Sequence, residues 1–176
     1  MTVVRASYTR GARGPRASRA AVRYAAHRAD HAGDRQNREV FGPDGVVDEA
    51  DAQERLKAAP GGYHYRLVLN QGAGHHDVDQ QAWTRDVMES VENRAGTPVT
   101  WIAVEHRDHS DHDHVHVVAV LDRPLSRTDL DTLRGAAEDS WQRHASWSRA
   151  QDLDPATTRE ADTPRPTPRY DSGWDW

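Results

Sequence analysis

The chain reads as an α+β protein, an antiparallel β-sheet with packed helices. Three observations point there. Residues 63–69 alternate, with Tyr63, Tyr65, Leu67 and Leu69 on one face, which is the period of a half-buried strand. Residues 80–95 instead place Trp83, Val87, Met88 and Val91 at helical spacing. Two apolar runs, 99–106 and 114–121, are separated by a short polar segment, and their simplest pairing is an antiparallel hairpin.

The remaining elements follow in order. Residues 2–8 are β-rich and predict a first strand, and 9–15 are a Gly/Arg/Pro loop. Residues 16–28 predict a helix. Ala17, Ala20, Ala21 and Tyr24 share one side of it, a small-residue face expected to lie close on the sheet, with Arg16, Arg19 and Arg23 in an adjacent stripe. A polar stretch over 31–48 holds the turn signal Phe41-Gly42-Pro43-Asp44-Gly45. A short helix over about 48–59 is closed by Pro60-Gly61-Gly62. Asp77 and Gln80 are spaced to cap the helix at 80–95, and Gly96 stops it. Thr128 and Asp131 are spaced to cap a last helix carrying Leu130, Leu133, Ala137 and Trp141. Beyond about residue 148 the chain turns polar, with Pro155, Pro164, Pro166 and Pro168, and reads as a disordered tail. The expected organisation is one domain over 1–148 and a tail over 149–176, in the order β-α-α-β-α-β-β-α.

Composition narrows the class. There is no cysteine, which removes disulfides and thiol chemistry and suits a cytoplasmic protein. No stretch approaches the roughly 20 apolar residues that span a bilayer, and the arginine-rich start lacks a signal-peptide core. Net charge is −5, yet residues 1–40 hold nine arginines and three acids. A basic arm on an acidic chain is an electrostatic footprint for nucleic acid.

The most specific segment is 106–116, H-R-D-H-S-D-H-D-H-V-H, with five of the chain's eleven histidines. His114 and His116 flank one valine at the head of a strand, so their imidazoles share a face. In the hairpin, His106 lies opposite His114, and directly opposed side chains have Cβ atoms about 4.5–5.5 Å apart. His106, His114 and His116 then converge as three nitrogen ligands and leave coordination positions open on a divalent cation, as catalysis requires. Mg²⁺ or Mn²⁺ is expected, and imidazole also suits Zn²⁺. Asp108 is placed to accept an imidazole N–H from behind. His109 and His112 read as loop residues, and Glu105 should face away.

Tyr24 is the candidate nucleophile. A phenol is a weak nucleophile, but it serves when a metal withdraws charge from a scissile phosphate. The resulting phosphotyrosine stores the bond so that a strand can be rejoined. Arg16, Arg19 and Arg23 could neutralise phosphates nearby.

Together, Ala21-Val-Arg-Tyr24, Trp83-Thr-Arg-Asp-Val-Met88, Trp101-Ile-Ala-Val-Glu-His106-Arg-Asp108 and His114-Val-His116 resemble the relaxases of conjugative and mobilisable elements. The likeness is greatest to the mobilisation-protein branch of the HUH (His-hydrophobe-His) endonucleases, and it runs from about residue 2 to 145. It implies an HUH-type sheet and site- and strand-specific nicking of single-stranded or extruded origin DNA. Tyr24 would form a 5′-phosphotyrosine link, assisted by Asp108. His106, His114 and His116 would hold the metal, and accessory mobilisation proteins would be partners. The tyrosine precedes the histidines, as in relaxases, whereas in rolling-circle replication initiators it follows them. Where the family often has an arginine three residues after the tyrosine, this chain has His27 and then Arg28. Where the family has a serine-containing loop, it has Asn70-Gln71-Gly72, so Arg28 and Asn70 join the DNA-contact candidates. Alternatives are a replication-initiator nuclease, a metal-dependent hydrolase using water, and a non-catalytic DNA-binding module.

Overall fold

The computed structural model describes residues 2–30, 32–72, 78–107 and 113–152. The described chain is α+β. It runs β1 (Val3–Arg10), a 3₁₀ turn (Gly11–Arg13), α1 (Gly14–His27), β2 (Val40–Gly42), β3 (Gly45–Val47), α2 (Glu49–Ala58), β4 (Tyr63–Asn70), α3 (Gln80–Ala95), β5 (Thr100–His106), β6 (His114–Leu121) and α4 (Arg127–Asp152). The six strands form one sheet in the order β1-β4-β6-β5-β2-β3, and every adjacent pair is antiparallel.

The expected elements are present, with four corrections. The turn at Phe41–Gly45 is flanked by a small hairpin, β2–β3, where only a polar stretch was expected. Each arm is three residues long, too short for a period to show. The first helix begins at Gly14 rather than Arg16, because Pro15 suits a first turn. The helix caps also shift. Asp79 accepts from the Ala82 amide at the start of α3, and Asp77, the expected cap, lies outside the described residues. Ser126 and Asp129, rather than Thr128 and Asp131, form the reciprocal pair at the start of α4, with Ser126 N–H donating to the Asp129 carboxylate and Asp129 N–H to Ser126 Oγ. Finally, α4 continues to Asp152, past the expected end of the domain, and the rest of the tail lies outside the described residues.

Helices cover both faces of the sheet. On one face, α3 and α4 bury Trp83, Val87, Met88, Leu133 and Trp141 against Leu67, Leu69, Val117 and Trp101. Trp83 is fully buried, packs edge-on to Trp141 with centroids 5.4 Å apart, and donates its indole N–H to the Ala137 carbonyl at 3.0 Å. On the other face, α1 and α2 enclose a smaller cluster built on Val22, Ala25, Ala26, Leu56, Ile102 and Val104.

Strand register organises that second face into rows. His106 pairs with His114, and His114 with Asn70, which pairs with Val3. The next row on the same face is Val104, His116, Val68 and Arg5, and the one after is Ile102, Val118, Arg66 and Ser7. Helix α1 crosses these rows diagonally. Its start rests on β4, where Ser18 Oγ lies 2.8 Å from His64 Nδ1, and a Cβ at Gly14 would overlap the His64 ring. Its end lies over β5, where the Ala25 carbonyl meets His106. The diagonal leaves part of β1 and β4 uncovered. Among the described residues, no helix is long and apolar enough to cross a membrane.

Candidate functional site

The hairpin register places His106 directly across from His114, with His116 two residues on along the same face. The ring centroids are 5.1 Å (His106–His114), 4.6 Å (His106–His116) and 5.0 Å (His114–His116). The nitrogens available for ligation all lie within 4.8 Å of one another. A cation with nitrogen ligands at about 2.1 Å would draw the rings together by roughly an ångström, which rotamer adjustment can supply.

The end of α1 sets the chemistry of His106. This residue is fully buried, and its Nε2 lies 2.8 Å from the Ala25 carbonyl oxygen. A carbonyl only accepts, so Nε2 carries the proton and Nδ1 carries the lone pair. Burial, followed by the charges of His116 and Arg38, pushes the His106 pKa down to about 3. The ring is therefore neutral at physiological pH, as a metal ligand must be. The hydrogen bond to a backbone carbonyl is also the usual way a ligating imidazole is oriented. Arg38 fixes the same helix end, with its Nη1 donating to the Arg28 carbonyl at 2.7 Å and its backbone N–H to Ala26 at 3.1 Å. The donor set thus fits a divalent cation, without selecting which one.

Tyr24 departs from the expected packing. The small-residue side of α1 does not lie on the sheet. The buried side is Gly14, Ser18, Val22, Ala25 and Ala26, and Tyr24 is 58% exposed. Ala17, Ala21 and Tyr24 instead form one wall of a cleft of about 560 Å³. Its floor is the uncovered sheet, with Arg5, Ser7, Arg66, Val68 and His116. Tyr24 and one histidine of the triad therefore border the same space.

The other candidates divide. The Arg28 guanidinium lies 5.6 Å from the centroid of the Tyr24 ring, in cation–π range. Asn70 sits across from His114, and its Oδ1 accepts from the Gly72 amide at 2.7 Å. Arg16, Arg19 and Arg23 are not brought to the histidines. They line a separate depression on the other flank of α1, facing Gln53 and Lys57 of α2. Their helical positions lie roughly 80–140° around the axis from that of Tyr24, which makes them a different flank. Glu105 faces away, as expected, and pairs with Arg107. Asp108, His109 and His112 lie outside the described residues.

Sequence reasoning missed Arg5, Ser7, Arg66 and His64. Strand alternation was the available signal, since Arg66 and Val68 must face opposite to Leu67 and Leu69. What alternation cannot give is that β4 pairs with β6, which brings them to the histidine face.

No protein-family model matches the chain, and no curated protein matches it.

Proposed function

We propose that this protein nicks and rejoins DNA at a specific site and strand by tyrosine transesterification, as a relaxase of HUH type acting in mobilisation or conjugative transfer. The observation that carries the reading is the shared cleft. One side of it carries His116, a member of a three-imidazole group suited to a divalent cation, and the other carries an exposed tyrosine. A cation bound by His106, His114 and His116 would supply charge that withdraws electron density from a phosphate oxygen.

In the step itself, the Tyr24 oxygen bonds to phosphorus and the bond from phosphorus to the 3′ oxygen breaks. The phenolic proton is lost as the new bond forms, and the departing 3′ oxygen gains one, so the step is balanced in protons and needs no oxidant or reductant. Attack by a 3′-hydroxyl on the phosphotyrosine reverses it. Arg28 beside the ring positions the phenol and favours its developing negative charge. The α1 carbonyl at Ala25 holds His106 in the ligating tautomer, which couples the helix carrying the nucleophile to the metal group. The substrate is single-stranded or extruded DNA.

The test is a denaturing-gel assay for covalent adducts with Mn²⁺ and single-stranded oligonucleotides drawn from the DNA flanking the gene. The wild type is expected to give an adduct, and Tyr24→Phe is expected to give none. Cleavage without any adduct, unaffected by Tyr24→Phe, would replace this reading with a hydrolase that uses water.

A further inference from the structure

The cleft bordered by Tyr24 and His116 extends well beyond them, and its far end has a chemistry the nicking step does not use. Arg5 and Arg66 stand there on adjacent strands, with Ser7 directly paired to Arg66. Both arginines are exposed, and neither pairs with a carboxylate among the described residues. Two uncompensated guanidiniums beside a hydroxyl make an anion site. Between them and the histidines the walls turn apolar and shallow: Ala17 and Ala21 on the helix, Val68 and Val118 on the sheet.

Register fixes the spacing. Arg5, Val68 and His116 are successive members of one row across three strands. Two strand spacings put the arginine roughly 10 Å from the histidine, measured along the sheet. A cation at one end, an apolar slot in the middle and a second anion site at the other end repeat the order phosphate, base, phosphate. The volume of about 560 Å³ falls within the range of about 300–1,000 Å³ for sites that enclose one small molecule. It is too small for a double helix.

Resting on the nicking reading of the histidine–tyrosine end, we infer that this cleft is a subsite for one nucleotide of single-stranded DNA. The base next to the scissile phosphate lies between Ala21 and Val68, and the following phosphate is held by Arg5 and Arg66. The small residues at Ala17, Ala20 and Ala21 then have a purpose beyond helix packing, because a larger side chain at any of them would close the slot. The occupant is unpaired because a base can enter the slot only when it is out of a duplex.

The experiment is fluorescence anisotropy with a labelled twelve-nucleotide oligothymidylate in EDTA, across a salt series, with Mn²⁺ calorimetry on the same proteins. Arg5→Gln and Arg66→Gln should each weaken binding several-fold. Each should also reduce the slope of log affinity against log salt by about 0.7, the loss expected for one phosphate contact on a single strand. Arg134→Gln, on the exposed surface of α4, should change neither quantity. Ala21→Leu should lower affinity for the oligonucleotide to that for an abasic strand of equal length. Mn²⁺ binding should be unaltered in all four. Unchanged strand binding in both arginine variants, or equal affinity for duplex and single strand, would overturn the subsite. The arginine variants sit on exposed strand positions, so they decide the matter even if Ala21→Leu disturbs the helix. If Mn²⁺ binds and the tyrosine adduct forms while strand binding ignores Arg5 and Arg66, the subsite fails alone. If strand binding follows the predicted pattern but Mn²⁺ does not bind, the nicking reading fails and the nucleotide cleft stands.

Discussion

The two faces of the sheet are built from the same strands but packed to different ends. Against α3 and α4 the strands present Leu67, Leu69, Trp101 and Val117, and the helices answer with Trp83, Met88 and Trp141. Against α1 and α2 the same strands present four histidines, two arginines, an asparagine and valines, and the helix answers mostly with alanines. The first face has large side chains buried together in one cluster. The second is thin and polar, and open where α1 swings away from β1. One strand serves both purposes because alternate residues point to opposite sides. In β6, Val115, Val117 and Ala119 belong to the large core, while His116 belongs to the site. Stability is concentrated on one side of the sheet, which leaves the other free to carry groups that pack poorly.

If this division holds, damage to the two faces has separable consequences. The largest effect on stability should come from Trp83→Ala, which removes a fully buried indole and its hydrogen bond to Ala137. Such a truncation costs about 3–5 kcal/mol. Urea unfolding should record that loss, while Mn²⁺ affinity, measured on the folded protein, should stay at the wild-type value. A large loss of metal affinity would show that the faces are not independent.

A smaller effect should come from pH, and it acts on the histidine face. Burial lowers the pKa of His64, and burial together with neighbouring charge lowers that of His106 to about 3. Below the ordinary histidine pKa of about 6.5, the unfolded chain binds protons that the folded chain refuses. Stability is therefore full above that value and falls as pH drops toward the folded pKa. The slope is at most about 1.4 kcal/mol per pH unit for each histidine. The informative window is about pH 6.5 to 5, above the carboxylate range. Urea unfolding there, in EDTA, should show stability declining with acidity. A flat profile would mean that these rings are protonated in the folded state and ill-suited to a metal.

Much of the site was legible because strand geometry is rigid. The alternation in His114-Val115-His116 and the shortness of the connection from His106 were enough to place three imidazoles on one face, and the observed register agrees. The stripe of Trp83, Val87, Met88 and Val91 was equally plain, since large apolar residues at helical spacing have one way to be buried. The orientation of α1 was harder. Its alanines can face either core or solvent at little cost, and the buried side includes a serine that binds His64. Apolar patterning therefore turned the helix the wrong way, toward Ala17, Ala20, Ala21 and Tyr24. The arginines went astray for a related reason. A sequence shows that Arg16, Arg19 and Arg23 share a stripe, but not that the stripe faces α2. Arg5 and Arg66 were missed because their place depends on strand order, and β4 lies between β1 and β6 through a pairing remote in sequence.

The claim beneath all of this is that the thin face holds a metal on His106, His114 and His116. Isothermal titration of the apo-protein with Mn²⁺ tests it directly, with His114→Ala and His116→Ala alongside. The predicted result is one ion per chain in the wild type, and affinity reduced at least about a hundredfold in each variant, with little change in unfolding free energy. Saturable binding of equal strength in the wild type and both variants would place the ion elsewhere, and no binding at all would leave the histidines without a metal role.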